Sequence, residues 1–272
     1  MSDATEQVSE SASQPVSEAS TVPPMLPLDA PRNIAIQFSG HIYRWYFRRI
    51  AQKDWERFFD RFRIESYRSG AEVMETFEFA TAMRELISTT LERVEGYKLD
   101  AAKNPKWRDY LPEQHVRLFC MALREVSRSV DVGDGPLAIT EHHEISLDAL
   151  WASDEAGKAI RYAGLIHRFN APTFEQQKKF NRAVNSTRVI GDSRNGRTLY
   201  PEKQKLEMAY YNELIAEVDG YSVGGVALTG VEAIRREMDG CHKVAAINAL
   251  LHAGGVVEDI PPAKPEGEGA GD

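Results

Sequence analysis

The residues with the clearest potential for metal chemistry are the adjacent His142 and His143, which are followed by Glu144. Imidazole and carboxylate groups are common metal ligands. Neighbouring residues of a strand point to opposite faces, so both histidines can bind one metal only where the backbone bends. No HExxH or CxxC motif accompanies them. The pattern favours a surface segment and leaves a metal-dependent enzyme around these histidines as an alternative.

A second candidate is the loop at residues 185–199, NSTRVIGDSRNGRTL, which carries Arg188, Arg194 and Arg197. Guanidinium groups on a glycine-rich loop suit the carboxylates or the backbone of a protein partner, and they also suit phosphates. The order GxxxxGKS or GxxxxGKT of a phosphate-binding loop is missing. A segment of this composition is typical of a solvated hairpin or loop. Where it forms a site, we predict that these three arginines bind a protein partner, with nucleic-acid contact as the alternative.

The segment 44–49, RWYFRR, interleaves aromatic and basic residues, and Trp55 follows it closely. Aromatic side chains between arginines can stack bases, so a nucleic-acid-binding module is a second alternative. The charge distribution argues against duplex DNA, because the net charge of −8 comes from the two ends of the chain and residues 33–253 balance to zero. The segment is more typical of a strand with a buried aromatic face.

Two stretches of the chain resemble each other. Residues 35–45, AIQFSGHIYRW, match residues 159–169, AIRYAGLIHRF, with Gly40 over Gly164. Three such matches in the same order predict an internal duplication, and the shared glycine predicts a bulge or a sharp bend between two short strands in each copy.

The other two matches place Tyr97 over Tyr221 and His115 over His242. Each tyrosine follows a glycine that could end a helix, and each histidine stands where a later helix could begin. We predict structural roles for all four, because no nucleophile or acid with catalytic spacing lies beside them.

The predicted fold class is α+β and mostly helical, with two homologous units that each have a short strand segment followed by helices. Long helices are predicted at 77–95 and 202–219 from their apolar spacing. The predicted organisation has five parts: a disordered acidic tail at 1–32, repeat unit 1 at 33–126, a connector at 127–157, repeat unit 2 at 158–253 and a second disordered acidic tail at 254–272.

Composition narrows the setting of the protein. The two cysteines, Cys120 and Cys241, fall at non-equivalent positions of the predicted units, which gives no support for a disulfide. Neither a signal peptide nor a run of 18 apolar residues is present in the sequence. We expect a cytoplasmic protein with no membrane partner, no metal and no cofactor.

The second predicted unit resembles a family of phage proteins. The segments FNRAVNSTRVIGDSRNGRT, YYNELIAEVDGYSVGG and MDGCHKVAAINALL, within about 160–252, look like tail assembly chaperones or minor tail proteins of tailed phages and prophages. The resemblance implies a non-enzymatic structural or tail-assembly protein that acts through protein–protein contacts. Its implied partners are other phage structural proteins, with the tape-measure and tail-tube proteins as candidates. It also implies a location in the host cytoplasm or on the virion.

Overall fold

The computed structural model describes residues 25–61, 64–69, 72–77, 79–99, 104–129, 143–186, 188–190, 197–199 and 203–253, with the backbone alone within 61–79 and 188–199. His142, Arg194, most of the first predicted tail and the whole of the second lie outside these residues.

Seven α-helices and one short 3-10 helix form in the described chain. The α-helices are α1 (Gln52–Arg61), α2 (Phe79–Thr90), α3 (Glu113–Leu123), α4 (Phe174–Val184), α5 (Lys203–Leu214), α6 (Val231–Glu237) and α7 (Gly240–Ala253), and the 3-10 helix is Trp107–Tyr110. None of the described helices is both long enough and apolar enough to cross a bilayer.

Fourteen strands accompany these helices in the described residues. They are β1 (Leu26–Pro27), β2 (Arg32–Phe38), β3 (His41–Phe47), β4 (Ile64–Ser69), β5 (Glu72–Phe77), β6 (Leu91–Glu95), β7 (Val126–Arg128), β8 (His143–Ser153), β9 (Ala159–Phe169), β10 (Arg188–Ile190), β11 (Arg197–Leu199), β12 (Ile215–Asp219), β13 (Tyr221–Val223) and β14 (Val226–Ala227).

The strands form four sheets, with the orders β2-β3-β6, β12-β9-β8-β7, β10-β11-β4-β5 and β1-β13-β14. The protein is therefore α+β, as predicted, but the prediction that it is mostly helical is wrong. Some apolar residues whose spacing fits a helix lie in strands instead. Strands are stabilised by pairing with residues distant in sequence, which local spacing does not show.

Both long helices end earlier than predicted, and in each case a five-residue strand replaces the predicted end of the helix. Residues 91–95 form β6 rather than the last turn of α2, and residues 215–219 form β12 rather than the last turn of α5. Strand β6 pairs antiparallel with β3, and β12 pairs antiparallel with β9. Pairing with a distant strand overrides the helical spacing of the local sequence.

The prediction that residues 1–32 form a disordered tail is wrong for residues 25–32, which the structure describes. Leu26 and Leu28 are buried in the core, and β1 pairs in parallel with β13. The Leu26 amide donates to the Gly220 carbonyl at 2.7 Å. The prolines near Leu26 and Leu28 are typical of disordered segments, which explains the prediction. The two leucines alternate as the buried residues of a short strand do.

The described chain has two hydrophobic cores. One draws mainly on residues 34–123, the first half, and the other mainly on residues 145–249, the second half. The first core is centred on Trp45, Phe47 and Trp55 and includes the inner faces of α1, α2 and α3. The second is centred on Phe169 and Tyr211 and includes β8, β9, α5 and α7. The element order β2-β3-α1-β4-β5-α2-β6 recurs as β8-β9-α4-β10-β11-α5-β12. Strand β8 falls inside the predicted connector 127–157.

Buried polar contacts join the two halves. The Arg32 guanidinium donates to the carbonyls of Leu123, Leu150 and Trp151 at 2.9–3.1 Å. Trp55 Nε1 donates to Asp239 Oδ2 at 2.8 Å, directly before α7. Satisfied buried polar groups of this kind fix a single packing of the halves, since breaking either contact would leave a buried donor or acceptor without a partner.

Two glycines in the first half give a matched test of close packing. Gly40 (φ +79°) lies in the β2–β3 turn and Gly96 (φ +89°) follows β6. A Cβ atom at Gly96 would lie 2.8 Å from the Ile42 carbonyl oxygen, whereas at Gly40 it would meet no described atom within 4 Å. We expect Gly40→Ala to lower the free energy of unfolding by about 1 kcal/mol through backbone strain alone, and Gly96→Ala by about 3 kcal/mol. Urea denaturation of both variants measures the difference, and equal losses would contradict this packing.

Candidate functional site

Helix α4 leaves an aromatic side chain in water. The helix begins with a capping box, in which Thr173 Oγ1 accepts from the Gln176 amide and Gln176 Oε1 accepts from the Thr173 amide. This fixed start places Phe174 outward, with 74% of its surface exposed. Phe180, on the other side of the helix, is buried and stacks on Tyr210 with 4.4 Å between ring centroids.

The exposed face of α4 lines a shallow groove of about 430 Å³. Its residues recur every three or four positions, as expected for one helix face. They are Phe174, Gln177, Lys178, Asn181, Arg182 and Asn185. Lys178 Nζ lies 5.6 Å from the Phe174 ring centroid, so an apolar ring and a cation occupy one end of the groove.

The predicted arginine loop, 185–199, begins at Asn185, the last residue of this groove, and its first arginine, Arg188, follows three residues later. Arg188 is the first residue of β10, opposite Leu199, and Arg197 is the first residue of β11, opposite Ile190. The two arginines therefore lie at opposite ends of one short hairpin, and Arg194 lies outside the described residues. Strand β10 stands at the end of its sheet. We use the name α4 surface for the outward stripe 174–185 of α4 together with β10.

The buried polar cluster of the second half is built around Tyr221. Its hydroxyl lies 2.7 Å from His167 Nε2 and 2.8 Å from His242 Nδ1. His167 Nδ1 lies 2.9 Å from the Tyr211 hydroxyl. Burial lowers the pKa of His167 well below its usual value, and burial, then the Arg32 charge, lowers the pKa of His242 to about 3. Both imidazoles are therefore neutral.

The first half repeats this contact with a different third residue. The Tyr97 hydroxyl lies 2.7 Å from His115 Nδ1 and accepts from Trp45 Nε1 at 2.9 Å. The indole can only donate, so the hydroxyl accepts in that contact, and the direction of its bond with His115 depends on the imidazole tautomer. Burial raises the pKa of Tyr97 to about 12. The structural roles predicted for the tyrosines and histidines agree with these contacts, although each tyrosine follows a strand and not a helix.

Trp45 and His167 occupy the same place in their ladders, opposite Val94 and Val218 respectively. The match made from sequence instead sets Trp45 over Phe169. The two matched glycines also differ in position. Gly40 lies in the turn between β2 and β3, whereas Gly164 lies inside β9, where the pairing with β8 shifts register between Tyr162 and Leu165. The predicted bulge therefore fits Gly164, and the predicted bend fits Gly40.

The arginine and aromatic segment 44–49 is turned into the fold. Trp45, Phe47 and Trp55 are buried. Arg44 donates to the carbonyls of Asp154 and Glu155, and Arg48 makes a two-point ion pair with Asp54 at 2.8 and 2.9 Å. These three rings are therefore withheld from bases, as the buried-strand interpretation predicts, and the half-buried Tyr46 ring is covered by the Arg93 guanidinium, 3.8 Å from its centroid.

His143 is exposed at the start of β8. No group of three or more histidine, cysteine, aspartate or glutamate side chains in the described part of the chain could hold a metal ion. The two cysteines are buried free thiols. Burial raises the pKa of Cys120 to about 12 and that of Cys241 further, so neither is a ready nucleophile.

Two buried charged residues escaped the sequence analysis. Lys243 Nζ donates to Gln52 Oε1, Asn212 Oδ1 and the Arg235 carbonyl, and burial lowers its pKa to about 8. Glu207 is buried on α5, and burial raises its pKa to about 7. Helical spacing places both on inward faces, which is the signal that could have found them.

The exposed groove of α4 thus suits a contact with another macromolecule, whereas the clustered histidines and tyrosines belong to the core. Comparisons of the chain with protein-family models, with curated proteins and with solved structures find no match.

Proposed function

We propose that this protein is a non-enzymatic structural or tail-assembly component of a tailed phage, and that it binds another phage structural protein through its α4 surface. The phage assignment rests on the sequence resemblance. The observation that carries the binding mode is the exposed Phe174 in its groove.

Exposure of the Phe174 ring to water is energetically unfavourable, and a binding partner would relieve it. An aromatic ring that is 74% exposed, beside a groove with amides at its edges, matches the composition of protein contact sites. Such anchors contribute strongly to binding, because covering the ring removes apolar surface from water while the rim keeps its polar contacts.

Strand β10 adds a second means of contact. Among the described strands, β10 stands at the end of its sheet, and a strand in that position can pair through its amides and carbonyls with an extended segment of another chain. The helix stripe ends at Asn185 and β10 begins at Arg188, so one extended segment could contact both. Lys178 and Arg182 give the helix stripe a basic character that suits an acidic partner segment, and the arginines predicted from the 185–199 sequence are further candidates for the same contact.

A protein partner fits better than a nucleic acid for two reasons. The charge of residues 33–253 is balanced, and Glu175 lies in the first turn of α4, 3.9 Å from Lys178. Nucleic acid binding depends on clustered basic residues without such neutralisation. The segment 44–49 that suggested base stacking is largely buried.

The two halves do not offer two equal surfaces, although we propose that they derive from one duplicated unit. Gln52 begins α1 as Phe174 begins α4, but Gln52 accepts a hydrogen bond from Lys243 and faces α7. We therefore propose one contact surface per chain.

Serine at position 174 should weaken partner capture. Removing a central aromatic anchor costs about 2 kcal/mol of binding free energy, which is about thirtyfold in affinity. The full chain, immobilised and exposed to a phage-producing lysate of its natural source, is expected to retain a tape-measure, tail-tube or other virion protein, and Phe174→Ser should lose it.

The matched control is Tyr110→Ser, which removes an aromatic side chain that is 66% exposed in the first half. This variant should capture the virion protein as well as the natural chain does. Capture of nucleic acid, or of a protein that Phe174→Ser still retains, would refute the proposal.

A further inference from the structure

A second concave site lies between the two halves, far in sequence from the α4 surface. A pocket of about 420 Å³ separates α7 from the segment that ends α3 and forms β7. Arg124, which ends α3, lines this wall together with Val126 and Arg128, which share one face of β7. The α7 wall presents Val244 and Asn248, one helical turn apart.

The polar groups of the pocket favour an anion. Arg124 and Arg128 carry permanent positive charge, and His252 adds a donor from the opposite wall, where Asn248 is already hydrogen-bonded to Glu207. None of the described side chains that line the pocket is a carboxylate. The Arg124 guanidinium lies over the Phe58 ring, 5.3 Å from its centroid, which holds it in place.

The rest of the lining is apolar, with Phe59, Val126, Val244 and Ala245 among its members. A volume of this size fits a small organic molecule. An inorganic anion would leave the apolar wall in contact with water, whereas a ligand with an apolar body would cover it.

We propose that this pocket binds a small organic anion, whose carboxylate, phosphate or sulfonate contacts Arg124 and Arg128 and whose apolar body packs on Phe59 and Val244. The site is independent of the proposed partner contact, because it shares no lining residue with the α4 surface.

The test uses a matched pair of fluorescent probes. 1-Anilinonaphthalene-8-sulfonate has an apolar aromatic body and one sulfonate, and N-phenyl-1-naphthylamine has the same body without the charge. We expect the sulfonate probe to bind the full chain with one site per chain and at least about tenfold more tightly than the neutral probe, because of its charge-assisted hydrogen bonds.

Variants locate the site. Arg128→Gln removes an exposed cation from β7 and should weaken the sulfonate probe about tenfold while leaving the neutral probe unchanged. Arg124→Gln should act in the same direction. Ala245→Phe should fill the pocket and weaken both probes. Circular dichroism and thermal denaturation confirm that each variant is folded, and Arg128→Gln keeps the test decisive if Arg124→Gln unfolds.

Two controls separate this site from other surfaces. Arg117→Gln changes an exposed arginine of α3 outside the pocket, and Phe174→Ser changes the α4 groove. Neither should alter probe binding. Equal affinities for the two probes, full binding by Arg128→Gln, or loss of binding in Phe174→Ser would overturn the proposal, and none of these results bears on partner capture.

Discussion

Replacing Tyr221 with phenylalanine is expected to lower the free energy of unfolding by about 3 kcal/mol. The change removes one hydroxyl and keeps the ring, so packing is preserved. It leaves His167 Nε2 and His242 Nδ1 without their shared partner in a site that water does not reach. Each unsatisfied buried group costs about 1–3 kcal/mol. Urea denaturation at pH 7.5 measures the loss.

Tyr97→Phe is the matched control from the first half. It removes the equivalent hydroxyl, which contacts His115 and Trp45, but Tyr97 is only partly buried, so water can replace it. We expect a loss of about 1 kcal/mol. Tyr211→Phe removes the other partner of His167, and its effect should not add to that of Tyr221→Phe, because the two hydroxyls act through one imidazole. Equal losses in Tyr97→Phe and Tyr221→Phe would contradict this description of the cluster.

Replacing Glu207 with glutamine is expected to stabilise the protein at pH 8. Burial raises the pKa of Glu207 to about 7 from 4.5, although the charge of Lys203 and a hydrogen bond with Asn248 act in the opposite direction. The folded state therefore holds its proton more tightly than the unfolded state does. Stability from this group is present below about pH 4.5, is lost as pH rises to about 7 and does not change further above that.

At pH 8 the buried carboxylate opposes folding by about 2–3 kcal/mol, and glutamine removes that opposition. Lys203 Nζ lies 3.5 Å from Glu207 Oε1, but the lysine is more than half exposed, so losing this ion pair costs little. The free energy of unfolding should rise by about 2–3 kcal/mol at pH 8 and by less than about 1 kcal/mol at pH 5.

The comparison with the natural chain isolates this carboxyl from other titrating groups. The lowered pKa values of His167 and His242 give the opposite dependence, in which stability is present above about pH 6.5 and is lost as pH falls. That contribution is common to both proteins and cancels in their difference. Glu213→Gln, at a partly exposed position of the same helix, should show no change, and a destabilised Glu207→Gln at pH 8 would contradict the account.

Local features of the fold were readable from the sequence. Thr173 and Asp239 are of residue types that favour helix N-termini, and α4 and α7 begin directly after them. The ends of α2 and α5 were not readable, because Leu91 and Ile215 fit a helical spacing and also fit a strand. Their pairing strands, β3 and β9, lie more than 40 residues earlier in the chain.

The candidate sites were readable only in part. The 185–199 segment drew attention through its arginines, but Phe174 did not, because an aromatic residue in an amphipathic helix normally belongs to the core. Its exposure depends on which face of α4 meets α5, and Phe180 fills that role. Tyr221 and His242 were each noticed alone, and only the fold shows that their side chains meet.

The most direct test of the proposed function places a photoreactive amino acid at position 174 of the full chain in phage-producing cells. Mass spectrometry then identifies the cross-linked protein, and the same substitution at Tyr110 serves as the control. We expect a cross-link from position 174 to an acidic segment of a tape-measure, tail-tube or other virion protein, and none to that protein from position 110. Cross-links to nucleic acid, or the same products from both positions, would contradict the claim that the α4 surface binds a phage structural protein.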